Sequence, residues 1–141
     1  MEPLTMLQVF IVTILGGLLT FYINHNLKKG PVFASAVLAL ISGITFPNLF
    51  EADLGLTLAS AVTAASYAGM SGKNRVNNFM EMTVALVFLS IVFVVSINAF
   101  KGVGGKLGTM ACISVLSLYG AKAIYKTATK DFISKKDVSL N

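Results

Sequence analysis

Between Leu4 and Ile23 the chain carries no Asp, Glu, Lys or Arg. Coiled as an α-helix at ~1.5 Å per residue, that run is about 30 Å long, the thickness of the hydrocarbon core of a bilayer. A single segment in lipid satisfies its own N–H and C=O groups only as a helix. The first run therefore predicts a transmembrane helix, and the rest of the fold has to be one that accommodates it.

Four more apolar runs follow. Pro31 to Phe46 is opened by Gly30-Pro31 and closed by Pro47, residues that suit helix ends; at about 24 Å it is short for a span. Leu54 to Gly72 is mild in hydrophobicity, with Thr57, Ser60, Thr63 and Ser66 among many alanines. Such a helix is expected to pack against neighbours or water rather than face lipid all round. Met82 to Phe100 is rich in Val, Leu, Ile and Phe and is expected to be the most lipid-exposed helix. Leu107 to Tyr125 forms a fifth span if Lys122 snorkels to the interface.

The reading is an all-α integral membrane protein of about five transmembrane helices. Residues 1–126 form one bundle, with spans near 4–23, 31–46, 54–72, 82–100 and 107–125, and 127–141 form a polar cytoplasmic tail. Apolar residues make up 55% of the 141 and charged residues 12%, about half the charge of soluble domains. A soluble fold lacks the polar surface to cover itself. The first run has no basic residue before it and Lys28-Lys29 after it, which predicts a retained helix rather than a cleaved signal peptide.

Nine of the eleven basic residues, Lys28, Lys29, Lys73, Arg75 and Lys122 through Lys136, fall on one side of a five-span arrangement, leaving Lys101 and Lys106 opposite. Because basic loops stay cytoplasmic, the amino terminus is expected outside and the tail inside, in the plasma (inner) membrane. The net charge of +5 follows this topology, and a nucleic-acid partner is not expected.

Catalysis and cofactors find little to work with. His25 is the one histidine and Cys112 the one cysteine, which leaves no haem-ligand or multi-histidine metal set, no CxxC pair and no disulfide. Cys112 reads as a small packing residue. No enzyme and no cofactor are expected. Gly102 to Thr109 is glycine-rich around Lys106, but Leu107 follows the lysine where a phosphate-binding loop has Ser or Thr. It reads as a loose loop, or as a place where Gly105, Lys106, Gly108 and exposed N–H groups hold an anion.

An internal repeat is suggested by Asp53-Leu54-Gly55 leading to Tyr67, against Lys106-Leu107-Gly108 leading to Tyr119, offset by about 53 residues. Two tandem hairpins behind a lone first helix would account for it; chance similarity between apolar helices would too. Asp53 and Lys106 would then pair on the outer side. Small residues recur at four-residue spacing in Ser35/Ala39/Gly43, Thr57/Ala61/Ala65/Gly69 and Gly104/Gly108/Cys112, the spacing of close helix contacts in membranes.

The expected path or binding residues are Thr57, Ala61, Ala65, Tyr67 and Gly69 on the third helix; Glu81 and Asn98 on the fourth; and Gly105, Lys106, Gly108, Tyr119 and Lys122 on the fifth. Glu81 is either a helix-start anion or a site for a proton or cation, at a depth that permits pairing with Lys122. Tyr67 and Tyr119 are interfacial belt aromatics or hydrogen-bond donors to a ligand. Two functions from different classes follow. One is a small homo-oligomeric transporter or channel subunit for a solute or ion; the other is a scaffold or accessory subunit that docks a larger membrane partner.

Overall fold

The computed structural model describes residues 3–72, 74–97 and 105–138, and among these the protein is entirely helical. The helices are α1 (Pro3–His25), α2 (Pro31–Leu49), α3 (Ala52–Gly69), α4 (Phe79–Ser96) and α5 (Lys106–Val138). Four of them, all but α3, are long and apolar enough to cross a membrane. Asn98, Lys101 and Gly104 lie outside the described residues.

α3 stands at the centre and touches each of the other four helices. Its side chains explain the position: Ala, Ser and Gly let neighbouring backbones approach closely on several sides at once. α1 packs on α2, α3 and α4, and α5 packs on α3 and α4, while α2 and α5 do not meet. The ring around α3 is therefore open on one flank. Leu56 and Tyr67 are exposed there, with Ser60 and Thr63 half-buried between them.

Glycines set the closest approaches. A Cβ on Gly69 would lie 2.7 Å from the Gly17 carbonyl oxygen, and one on Gly55 would lie 2.6 Å from that of Phe46. Backbone meets backbone at both points, so neither contact has a flexible neighbour able to give way. At the Gly55 corner only Phe50 and Glu51 separate α2 from α3.

Several boundaries and faces differ from expectation. α2 runs through Pro47 to Leu49. A proline in the last turn forfeits a single backbone bond, and Phe50 N–H still donates to the Phe46 carbonyl at 3.0 Å. α4 is not the most lipid-exposed helix: α1 buries as large a share, α2 and α5 smaller ones. Met82, Leu86, Leu89 and Phe93 are core, because hydropathy does not separate a lipid neighbour from a protein one. α5 continues as helix far beyond Tyr125, and its 33 residues span about 50 Å.

The small-residue faces divide in the same way. On α3, Ala61, Ala65 and Gly69 are buried. On α2 the contact runs through Ala34, Ser35 and Ser42 instead, and Gly43 has open space where a side chain would be. On α5 the packed residues are Met110, Ala111, Ser114 and Val115. Gly108 has no neighbour within Cβ reach, and Cys112 is exposed rather than packed. Four residues turn a helix by about 400°, so a strict four-residue stripe drifts off any straight contact line.

The two hairpins of the suggested repeat differ in build. Gly55 is locked against the end of α2 while Gly108 is free, and α5 is far longer than α3.

Candidate functional site

The expected path residues fall into separate groups. Ala61, Ala65 and Gly69 lie inside the bundle, with Gly69 held between Gly17 and Thr20 of α1. Thr57 is half-buried and donates its hydroxyl to the Asp53 carbonyl at 2.9 Å. Ala61, Ala65 and Gly69 on this face of α3 are buried against neighbouring helices. Asn98 lies outside the described residues.

Hydroxyls inside the bundle mostly bond back to the preceding turn. Thr20 donates to Gly16, Ser90 to Leu86 and Ser114 to Met110, at 2.8 to 2.9 Å. That is how a hydroxyl is satisfied where water does not reach. Ser35 and Ser66 differ, since their oxygens lie 2.8 Å apart across the α2–α3 contact. Thr13 differs again, with its Oγ1 buried and without a partner.

Tyr67 and Gly108 come together in an open groove of about 320 Å³ between the end of α3 and α5, joined by Ser71, Arg75 and Cys112. Gly105 and Lys106 start α5. Gly105 adopts φ 80°, a left-handed conformation that favours glycine, and its carbonyl receives both the N–H and the hydroxyl of Thr109. Lys106 does not pair with Asp53; among the described residues the salt bridge is elsewhere.

That bridge joins Glu81 and Lys122. Glu81 Oε2 accepts from Lys122 Nζ at 2.7 Å and from the Asn77 N–H at 2.8 Å. The carboxylate thus reaches back over the start of α4, where unpaired N–H groups favour negative charge, and ties α4 to α5. The fourth and fifth helices are pinned at this end by one oxygen.

Beside the bridge lies a wider open cleft of about 710 Å³, lined by Asn74, Tyr119, Lys122, Tyr125 and Lys126 among others. Tyr119 and Lys122 were anticipated; Asn74, Tyr125 and Lys126 were not. The available signal was the four-residue interval from Lys122 to Lys126, which puts both ammonium groups on one helix face.

Charge is divided between the two ends of the bundle. The end formed by the α1–α2 and α3–α4 loops and the Lys122–Lys126 turn of α5 carries Lys28, Lys29, Arg75, Lys122 and Lys126 against Glu81, counting described side chains. The other end carries Glu51 and Asp53 with Lys106. No group of three or more His, Cys, Asp or Glu side chains able to hold a metal occurs among the described residues.

Fold and site together define a multi-helical bundle with four helices able to span a membrane and one strongly basic end. Compared with protein-family models, curated proteins and solved structures, the chain matches none.

Proposed function

We propose that the protein is a multi-pass membrane subunit, inserted with its basic end in the cytoplasm and the start of α1 outside, that serves as a non-catalytic scaffold or accessory subunit docking a larger membrane partner. What carries the reading is the state of α3. Its Ala61, Ala65 and Gly69 are buried against neighbouring helices rather than lining an open channel, which supports a packing role for that face. The unclosed side of the ring carries exposed Tyr67 with half-buried Ser60 and Thr63, the Thr63 hydroxyl donating to the Ala59 carbonyl. Polar groups facing outward in lipid are best accommodated by a partner helix. The arrangement thus favours the second of the two functions read from the sequence.

A second reading keeps one specific support. In a homo-oligomer closed around this flank, Ser60, Thr63 and Tyr67 would line a shared path, and the subunit would belong to a transporter or channel. Single cysteines at Ser60, Ala61, Thr63, Ala65 and Tyr67, placed in a Cys112→Ala background and exposed to a polar maleimide in native membranes, separate the two. The scaffold reading expects protection at all five positions. Ser60, Thr63 and Tyr67 should then become reactive once detergent strips the partner, while Ala61 and Ala65 stay protected until denaturation. Labelling of Ser60 and Thr63 in intact membranes overturns it in favour of a path.

A further inference from the structure

We infer that the cleft between the α3–α4 loop and the inner part of α5 holds the phosphate of an anionic phospholipid headgroup. The inference rests on the membrane reading above and adds a ligand class to it.

The cleft is furnished with donors. Lys122 and Lys126 supply ammonium groups, Tyr119 and Tyr125 phenolic hydroxyls, and Asn74 an amide, with no acidic side chain among the described residues of its lining. Ammonium, hydroxyl and amide donors lining one cleft, with no carboxylate in its described lining, suit an anion with several oxygens. Lys122 is already engaged by Glu81, so the unneutralised charge of the cleft is the exposed Lys126. A phosphate seated beside Lys126 compensates that charge.

Depth agrees with a lipid source. Lys122 and Lys126 stand about 24 Å and about 30 Å along α5 from Lys106, so a ~30 Å hydrocarbon core that began at Lys106 would end at Lys126, with Lys122 about one turn inside it. Headgroup phosphates lie at that level. The other basic residues of the same end, Lys28, Lys29 and Arg75, raise the concentration of anionic lipid around it.

The test is native mass spectrometry of the full-length protein released from mixed micelles holding equimolar phosphatidylglycerol and phosphatidylcholine. Phosphatidylglycerol adducts should dominate. Lys126→Gln, at an exposed position whose loss leaves the fold intact, should lower that preference by about fivefold, the worth of one lysine near an anionic surface. Glu51→Gln, a change of charge of equal size at the opposite end, should leave it unchanged. Absence of a preference, or one that Lys126→Gln does not lower, overturns the inference. Displacement of the lipid by millimolar inorganic phosphate also overturns it, by making the ligand a soluble phosphate compound. Failure of the membrane reading is recognised separately, because alkaline carbonate would then extract the protein from native membranes.

Discussion

Ser35 on α2 and Ser66 on α3 are both buried, and their side-chain oxygens lie 2.8 Å apart. Ser66 donates to the Thr63 carbonyl at 2.8 Å, so the proton between the serines comes from Ser35. This chain of two bonds, from α2 through a hydroxyl to the backbone of α3, fixes the register of the two helices. In an apolar setting it acts where little other polar contact is offered.

Replacing Ser66 with Ala removes the acceptor of Ser35 and is expected to cost about 0.5–1.5 kcal/mol, the range of interhelical hydrogen bonds in membranes. Ser35→Ala should cost less, because Ser66 keeps its bond to Thr63. A double-mutant cycle read by denaturant titration in bicelles checks the ordering. Equal costs for the two single substitutions would mean that the contact does not run from Ser35 to Ser66.

Gly69 and Gly43 should respond oppositely to alanine. At Gly69 the new Cβ would sit 2.7 Å from the Gly17 carbonyl oxygen and from Thr20 Cβ, forcing α1 and α3 apart at a cost of about 2–3 kcal/mol, as overpacking commonly does. At Gly43 nothing lies within 4 Å, and alanine gains the about 0.5–1 kcal/mol by which it exceeds glycine in a helix. Both variants are read by the same unfolding titration. A Gly69→Ala protein as stable as the parent would remove the close α1–α3 approach from this account.

The five helices were legible because charge is absent over stretches such as Leu4 to Ile23, which leaves the backbone few other conformations. That α3 does not face lipid all round was legible too, from Thr57, Ala61, Ala65 and their small neighbours, but its central place among the other four helices was not. Nor was the way the other helices turn. Leu86 and Val87 are equally apolar, yet Leu86 is core and Val87 exposed, because lipid and protein interior are nearly equivalent surroundings for an aliphatic side chain. The site was half legible for a related reason. Glu81 and Lys122 were marked by their rarity in apolar runs, whereas Asn74 reaches the cleft through the course of a loop, which periodicity does not encode.

Thr13 has a buried hydroxyl without a partner, while Thr20, two turns on along the same face of α1, donates to the Gly16 carbonyl. An unsatisfied buried hydroxyl costs about 1–3 kcal/mol, so Thr13→Val, nearly isosteric, should stabilise the fold by about 1 kcal/mol. Thr20→Val loses a made bond and should not. If both variants prove destabilised to the same extent in thermal unfolding in detergent, Thr13 has a partner in the membrane and the argument for its orphan state fails.

The Glu81–Lys122 bridge links the start of α4 to α5 with side chains 24% and 36% exposed, respectively. Ion pairs open to solvent are worth about 0.2–1 kcal/mol, and this one should lie at the upper end because Glu81 Oε2 also accepts the Asn77 N–H. The two substitutions are unequal. Glu81→Gln leaves Lys122 free to turn outward to water or phosphate, so its cost is mainly the weakened cap of α4. Lys122→Met leaves the carboxylate facing the helix N-terminus and keeps the Asn77 bond. The coupling energy from the cycle of Glu81→Gln and Lys122→Met should therefore be about 0.5–1 kcal/mol and shrink as salt rises, since exposed charges are screened over about 10 Å at 0.1 M. A coupling that is zero at low salt would mean that the bridge contributes nothing to holding α4 and α5 together at this end.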